Sequence, residues 1–333
     1  MPTTILVTVP TLAPAGLDVL RAEGCRVLFT SKGGGVPEML KHLAQEGIDG
    51  VISRTLPFGA EAFAAAGPGL KVVSRHGVGF DNVDLAAATA RGIPVLIAPA
   101  GNGQSVAELA VGLMLATARR ITVQDAAIRA GTWDRSGNGL QMAGKTLGLV
   151  GFGGIGKAVA RAALGLGMRV IAFDPVAAAD PDLAVERVDS LAALLLRSHV
   201  LSLHVPLTAQ TRGLIGAAEL AALPRGAVLI NTARGGLVDE AALVAALESG
   251  QLSGAGLDTF ASEPLPPTHP LCTRPDVVMT AHMGGSTDAA LDATARTAAQ
   301  HALAVIHGRP VNPAVCVNPE TLSKTRPELL PNS

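Results

Sequence analysis

An α/β architecture of two doubly wound parallel-sheet domains is predicted by three observations. Short apolar strands alternate with helical stretches along most of the chain, a glycine-rich turn joins a strand to a helix near its middle, and 48% of the 333 residues are hydrophobic while only 2% are aromatic. The length suggests about two domains. Cores made of Ala, Val, Leu and Ile, with one Trp and no Tyr, suit helices laid on parallel sheets.

The first part of the chain predicts strands at Ile5 to Val9, Val27 to Thr30, Gly50 to Ser53, Val72 to Ser74 and Val95 to Ile97. Helical segments between them make a small doubly wound, flavodoxin-like domain. Pro99 to Gln104 reads as a loop, and Ser105 with Glu108 three residues later forms a capping box that opens a long helix. The Ala and Leu stripe of Ala107 to Ala118 reads as core or subunit interface. A domain boundary is therefore placed here, with residues 99–287 as one domain and 1–98 plus 288–333 as the other.

Lys145 to Asp174 lays out a dinucleotide-binding βαβ unit. Thr146 to Val150 is the buried strand, and Gly151, Gly153 and Gly156 follow as G-x-G-x-x-G. The first glycine permits the tight turn, the second lets the backbone approach a pyrophosphate, and the third lets helix and strand pack closely. Ile155, Val159, Ala162 and Ala163 give the helix its apolar face, so its N-terminus can meet the pyrophosphate. A second strand, Met168 to Phe173, ends at Asp174. A carboxylate there accepts hydrogen bonds from both adenine-ribose hydroxyls and repels a 2′-phosphate, so NAD is expected over NADP. Glycines alone are a weak signal; strand, helix, strand and acid in register make a Rossmann domain.

Further strands are predicted at Val200 to Leu203, Ala227 to Asn231, Gly254 to Asp258 and Val277 to Met279. The last long helix, Thr287 to His307, has no strand after it and is expected to cross back to the first domain. NTARGGLVD, GAGLDTFASEPLP and TAHMGGST each follow a strand of the nucleotide domain. Side chains beyond the carboxyl ends of such strands converge on the ligand crevice. Arg234, Asp258, Glu263 and His282 are thereby brought toward the nicotinamide.

Other features set limits. A net charge of −1 offers no footprint for nucleic acid or an anionic membrane. MPTTILVTVP carries neither a basic n-region nor a long apolar segment, so it reads as a strand, and a cytoplasmic location is expected. Cys25, Cys272 and Cys316 are odd in number, show no metal-ligand spacing and read as buried small hydrophobes in a reducing compartment. No metal is expected.

The chain resembles the D-isomer-specific 2-hydroxyacid dehydrogenases, in particular the phosphoglycerate-dehydrogenase-like branch. The resemblance is carried by SRHGVGFDNVDL, SVAELAVGLML, GFGGIG, HVPLTAQTRGLI, NTARGGLVDE, LDTFASEPLP and AHMGGST, in order and over nearly the whole length. It implies His282 as acid/base, Glu263 as its carboxylate partner and Arg234 as the holder of the substrate carboxylate. It also implies cofactor contacts at Gly154, Ile155, Val205, Pro206, Thr211, Thr232, Ala233, Arg234, Asp258, His282, Gly284 and Gly285, besides the three glycines and Asp174. Substrate contacts are implied at Ser53, Arg54, Arg75, Val78, Gly79, Arg234 and His282.

Trp133 lies where the family often buries an aromatic at a dimer contact, so a homodimer is expected. Gly154 replaces an arginine that many relatives direct at the cofactor phosphate, and Ile52 stands where phosphoglycerate-specific members often have another. The chain stops soon after the final helix, so appended regulatory domains are not expected. Glu263 argues against formate dehydrogenase chemistry. The expected function is NAD-dependent interconversion of a small anionic D-2-hydroxy acid and its 2-oxo acid, with 3-phosphoglycerate, hydroxypyruvate or glyoxylate, and sulfonated or sugar-derived acids open. An NADH-sensing corepressor of the same fold is the alternative.

Overall fold

The computed structural model describes residues 2–99, 101–178 and 180–322. The chain divides into two units, Met1–Asn102 with Ser286–Ser333, and Gly103–Gly285.

The first unit alternates β1 (Thr4–Val7), α1 (Pro14–Ala22), β2 (Arg26–Phe29), α2 (Gly35–Gln45), β3 (Gly50–Ser53), α3 (Ala60–Ala65), β4 (Val72–Arg75), α4 (Leu85–Ala90) and β5 (Val95–Leu96). All five strands are parallel in the order β2-β1-β3-β4-β5, the flavodoxin-like arrangement. The central strands β1, β3 and β4 are buried along their whole length, as strands covered on both faces must be.

The second unit opens with α5 (Gly103–Ala118) and α6 (Ile121–Arg129). It continues through β6 (Thr146–Val150), α7 (Gly154–Gly165), β7 (Arg169–Phe173), β8 (Val185–Arg187), α8 (Leu191–Leu195), β9 (Val200–Leu203), α9 (Ala217–Ala222), β10 (Ala227–Asn231), α10 (Glu240–Glu248), β11 (Leu252–Leu257) and β12 (Val277–Met279). The sheet order is β12-β11-β10-β9-β6-β7-β8, parallel throughout. This is the Rossmann order with a seventh strand, and its direction reverses between β6 and β9, where ligands bind. α5 covers one face of β10 and β11 and packs on α7.

The last helix, α11 (Asp288–Ile306), is capped by the Thr287 hydroxyl and belongs to the first unit, where it packs on α1, β3 and β4. Its buried face is almost entirely alanine, which lets α1 approach closely. The segment after it returns to the sheet, with the Ile97 amide donating to the Val315 carbonyl and the Val317 amide to that of Val95. No helix among the described residues is long and apolar enough to cross a membrane.

Two expectations are corrected, and two elements lie outside the expected set. Ser105 does not cap α5, because the helix starts at Gly103 and Ser105 falls in its first turn. Cys272 is exposed; only Cys316 is fully buried, with Cys25 between. β8 and the separate helix α6 were not foreseen: β8 is a three-residue edge strand, too short for a period-2 signal, and α6 buries no residue.

The crossing of α1 over α11 leaves no room at Gly16, where a Cβ would lie 2.8 Å from both the Ala295 Cβ and carbonyl oxygen. Because one contact is backbone, a larger residue must separate the helices. Gly16→Val is expected to destabilise the fold by about 1–3 kcal/mol, the usual cost of overpacking, as read by urea denaturation. An unchanged midpoint would show that the crossing can relax freely.

Candidate active site

The glycine turn has the geometry that a pyrophosphate requires. Gly151 takes φ +97°, in the left-handed region that side chains avoid, and a Cβ there would lie 2.4 Å from the His204 carbonyl oxygen. A Cβ at Gly156 would lie 2.3 Å from the Gly151 carbonyl oxygen, so strand end and helix start touch through backbone alone. Beside Gly153 and Gly154 a Cβ would meet nothing within 4 Å. The open side of the turn thus lies at the N-terminus of α7, whose first amides have no acceptor within the helix. These residues fit the pyrophosphate of a dinucleotide.

Asp174 sits past the end of β7 and is partly exposed. Its Oδ2 accepts the Phe152 amide at 2.8 Å, and its Oδ1 accepts those of Val176 and Ala177 at 2.8 and 2.9 Å. Burial would raise its pKa, but these amides and the nearby Arg187 charge outweigh that and hold it below the ordinary value. The carboxylate is therefore ionised. It has about four acceptor positions, and with three used within the chain it is better placed to take one ribose hydroxyl than two.

Around the other cofactor candidates, the Thr211 hydroxyl donates to the Pro206 carbonyl at 2.7 Å and accepts the Thr208 amide, which ties Val205 to Thr211 into a compact loop. His204 Nε2 lies 2.8 Å from the Ser202 hydroxyl, and burial pushes this imidazole down to about 4, so it is neutral and structural. Thr232 follows β10, and its buried hydroxyl has no partner within the described chain.

The second unit brings the three expected catalytic side chains to neighbouring loops. Arg234 follows β10, and its Nη1 donates to the Ala233 carbonyl at 2.8 Å. Asn231, which the sequence reading passed over, holds this turn. Its Nδ2 donates to the Arg234 carbonyl at 2.9 Å and its Oδ1 accepts the Ala233 amide at 3.0 Å. An Asn closing a strand before a turn is the signal that could have found it. Gly235 then allows two backbones to meet, since a Cβ would lie 1.8 Å from the Phe260 carbonyl carbon. The Arg234 turn and the Glu263 loop are thereby fixed against each other.

Glu263 Oε1 accepts the Phe260 amide at 3.0 Å, and Oε2 lies 2.8 Å from His282 Nδ1. Burial alone would raise the Glu263 pKa. The hydrogen bond to His282, the Phe260 amide, and the charges of His282 and Arg234 outweigh burial and lower it. A lowered carboxyl pKa favours the folded arrangement above the ordinary value and is lost only as pH falls through the depressed one. Titration near neutrality therefore does not belong to Glu263. Because an ionised carboxylate only accepts, Nδ1 carries the imidazole proton and Nε2 is left free to exchange one. The side chains are 48% and 37% exposed. Such a pair adds about 0–1 kcal/mol to stability, so its consequence is orientation and charge placement.

His282 has φ +54°, a left-handed conformation that costs a non-glycine residue roughly 1–2 kcal/mol. Asp258 supplies the restraint. Its carbonyl accepts the His282 amide at 2.8 Å, Oδ1 accepts the Thr280 hydroxyl at 2.5 Å and the Met283 amide at 2.7 Å, and Oδ2 accepts the Gly284 amide at 2.8 Å. Hydrogen bonds to a charged group contribute about 1.5–3 kcal/mol each, so the grip exceeds the strain. Asp258 is 1% exposed. Its geometry is that of a brace for residues 280–284.

The substrate candidates other than Arg234 and His282 lie in the first unit. Arg75 is 7% exposed. Its Nε donates to the Gly79 carbonyl at 2.8 Å and its Nη1 to the Ser53 hydroxyl and Arg54 carbonyl at 2.9 and 2.7 Å. It shapes the loop of Val78 and Gly79, leaving little of its guanidinium for an anion. Arg54 is different: among the described residues its side chain donates one long hydrogen bond, 3.4 Å, to the Ser286 hydroxyl. It borders a hollow of about 380 Å³ with His76, Leu12, Leu291, Asp288 and Asp292. Burial, aided by the Arg54 and Arg75 charges, pushes His76 down to about 4, so it adds no positive charge.

The fold and the glycine turn define a dinucleotide-binding α/β protein, and comparison with known proteins gives the family. Residues 111–284 match the model of the D-isomer specific 2-hydroxyacid dehydrogenase NAD binding domain. The chain is 42% identical over 267 residues to a D-3-phosphoglycerate dehydrogenase of Methanocaldococcus jannaschii, covering 78% of this chain and 51% of that one. It is also 42% identical over 275 residues to a glyoxylate reductase of Thermofilum pendens, covering 80% of each. The crystal structure of the TT0316 protein from Thermus thermophilus superposes with a TM-score of 0.86 at 41% identity, over 95% of this chain and 100% of that one. The chain belongs to the D-isomer specific 2-hydroxyacid dehydrogenase family and carries its NAD binding domain. It spans about half the length of the phosphoglycerate dehydrogenases that it matches.

The backbone contact at Gly235 gives a direct test of this site. Gly235→Ala is expected to displace the Phe260–Glu263 loop and lower kcat at least about tenfold, since misplacements near 1 Å reach that size. Circular dichroism and NADH affinity should stay near those of the parent. Unchanged kcat would show that the loops can part without consequence.

Proposed function

We propose that the protein is an NAD-dependent D-2-hydroxyacid dehydrogenase that interconverts a small D-2-hydroxy acid and its 2-oxo acid. The observation that carries this reading is the 2.8 Å contact of His282 Nδ1 with the ionised Glu263, with Arg234 close enough for its charge to lower the Glu263 pKa. NAD held at the glycine turn would supply the hydride acceptor in oxidation and the hydride donor in reduction. His282 Nε2 takes the substrate hydroxyl proton in oxidation and returns a proton to the carbonyl oxygen in reduction. Glu263 holds the ring in the required tautomer and stabilises the imidazolium. Arg234 holds the substrate carboxylate with its fork of donors.

For the substrate, the first unit supports a small acid over a phosphorylated one. Arg75 is spent on the chain, and Arg54 shares its hollow with the carboxylates Asp288 and Asp292. That setting disfavours a dianion and favours acids of the size of glyoxylate or hydroxypyruvate. We further propose a cytoplasmic homodimer joined through α6 and the segment after it. Ile121, Ile128 and Trp133 are 53%, 54% and 80% exposed, an apolar surface that a second copy would cover.

The central test is NADH oxidation across 2-oxo acids. Glyoxylate or hydroxypyruvate should exceed phosphohydroxypyruvate in kcat/KM by about tenfold or more, and the reverse order would refute the substrate reading. His282→Ala should lower kcat by roughly 10²- to 10⁴-fold with NADH binding retained; near-normal turnover would refute its role. In Glu263→Gln the imidazolium loses its counter-charge, so the alkaline limb of the reduction profile should move to lower pH. An unmoved limb would break the dyad assignment.

A further inference from the structure

Two residues in the same motifs have no part in this scheme, Glu240 at the end of NTARGGLVDE and His269 after EPLPP. Glu240 is the first residue of α10, yet it is not needed as a cap. The Asp239 carboxylate already accepts the Ala241 and Ala242 amides. The Glu240 side chain reaches instead to the loop that carries Glu263, where its Oε1 accepts the Ala261 amide at 2.8 Å. Its Oε2 lies 3.3 Å from His269 Nε2.

His269 Nδ1 accepts the Leu271 amide at 3.3 Å, so that nitrogen carries no proton. The ring proton sits on Nε2 and points at Glu240. Both side chains are largely buried, 16% exposed for Glu240 and 22% for His269.

The consequence lies in which amides are held. Phe260 and Ala261 are consecutive: the first donates to Glu263 and the second to Glu240. At the same point Gly235 brings the Arg234 turn against the Phe260 carbonyl. The Glu263 loop is thus tied by Glu240 to the segment that runs from Arg234 into α10.

We propose that Glu240, oriented by His269, is a positioning residue that sets the Glu263 carboxylate against His282. This rests on the Glu263–His282 dyad of the proposed function. Glu240 touches neither substrate nor cofactor in this role, and it acts through the Ala261 amide.

The test uses the full-length protein and compares Glu240→Ala, Glu240→Gln, His269→Leu, Glu263→Gln and the double variant Glu240→Ala/Glu263→Gln. NADH affinity, kcat, KM and the pH profile of 2-oxo acid reduction are measured on each. Glu240→Ala should lower kcat about tenfold or more with NADH affinity within about twofold, and move the alkaline limb in the same direction as Glu263→Gln. Glu240→Gln, whose amide oxygen can still accept the Ala261 amide, should recover most of that loss. The double variant should be no worse than Glu263→Gln, because residues acting as one unit are not additive.

If Glu240→Ala fails to fold, His269→Leu serves in its place and should shift the limb in the same direction by less. A kcat loss with an unmoved limb, or full additivity in the double variant, would overturn the proposal and leave Glu240 a structural tie. Failure of the underlying dyad is distinguishable, since Glu263→Gln alone would then leave the limb in place.

Discussion

The buried carboxylate of Asp258 is the constraint on which the candidate site depends. Only 1% exposed, it accepts a hydroxyl and two amides from residues 280–284, and its carbonyl accepts a third amide, that of His282. A histidine in the left-handed region would relax if left to itself. Held in this way, it presents Nδ1 to the Glu263 carboxylate. Loop-borne chemistry becomes rigid because a strand end reaches under the loop and ties it down.

The same logic recurs in each part. Arg234 is presented by a turn that Asn231 closes, and the loop carrying Glu263 meets that turn through the backbone at Gly235. In the first unit Arg75 joins Ser53, Arg54 and Gly79. The candidate side chains lie past the ends of β3, β10, β11 and β12, and a second set of polar residues beneath them is spent on placing them. Parallel sheets favour this division of labour, because their strands end in one direction and leave loops clustered where the backbone is free to bend.

Much of the fold was legible in the sequence for a physical reason. Buried parallel strands are continuous apolar runs, so β3, β6, β9, β10 and β12 could be bounded to the residue, and the glycine turn announces itself by spacing. What escaped had no local pattern. β8 is three residues at a sheet edge, and α6 buries nothing within its own chain, so neither carries a core-facing period. Ser105 looked like a cap because the box spacing was right, yet the helix begins at Gly103. The candidate catalytic residues could be named, through the resemblance, by their motifs. The tasks of Asp258 and Arg75 could not, because they depend on partners more than twenty residues away along the chain.

The three backbone amides that converge on Asp174 bear on how this cofactor site could be redesigned. Exchanging nicotinamide cofactors is commonly framed as replacing an acidic residue at this strand end with a neutral or basic one. Here the same carboxylate holds the second residue of the glycine turn and the start of the following loop. Removing it would take a negative charge from the strand end and loosen the glycine turn together, so a substitution there cannot change one without the other. A conversion that leaves Asp174 in place and adds a cation from the neighbouring loop keeps recognition and architecture separate.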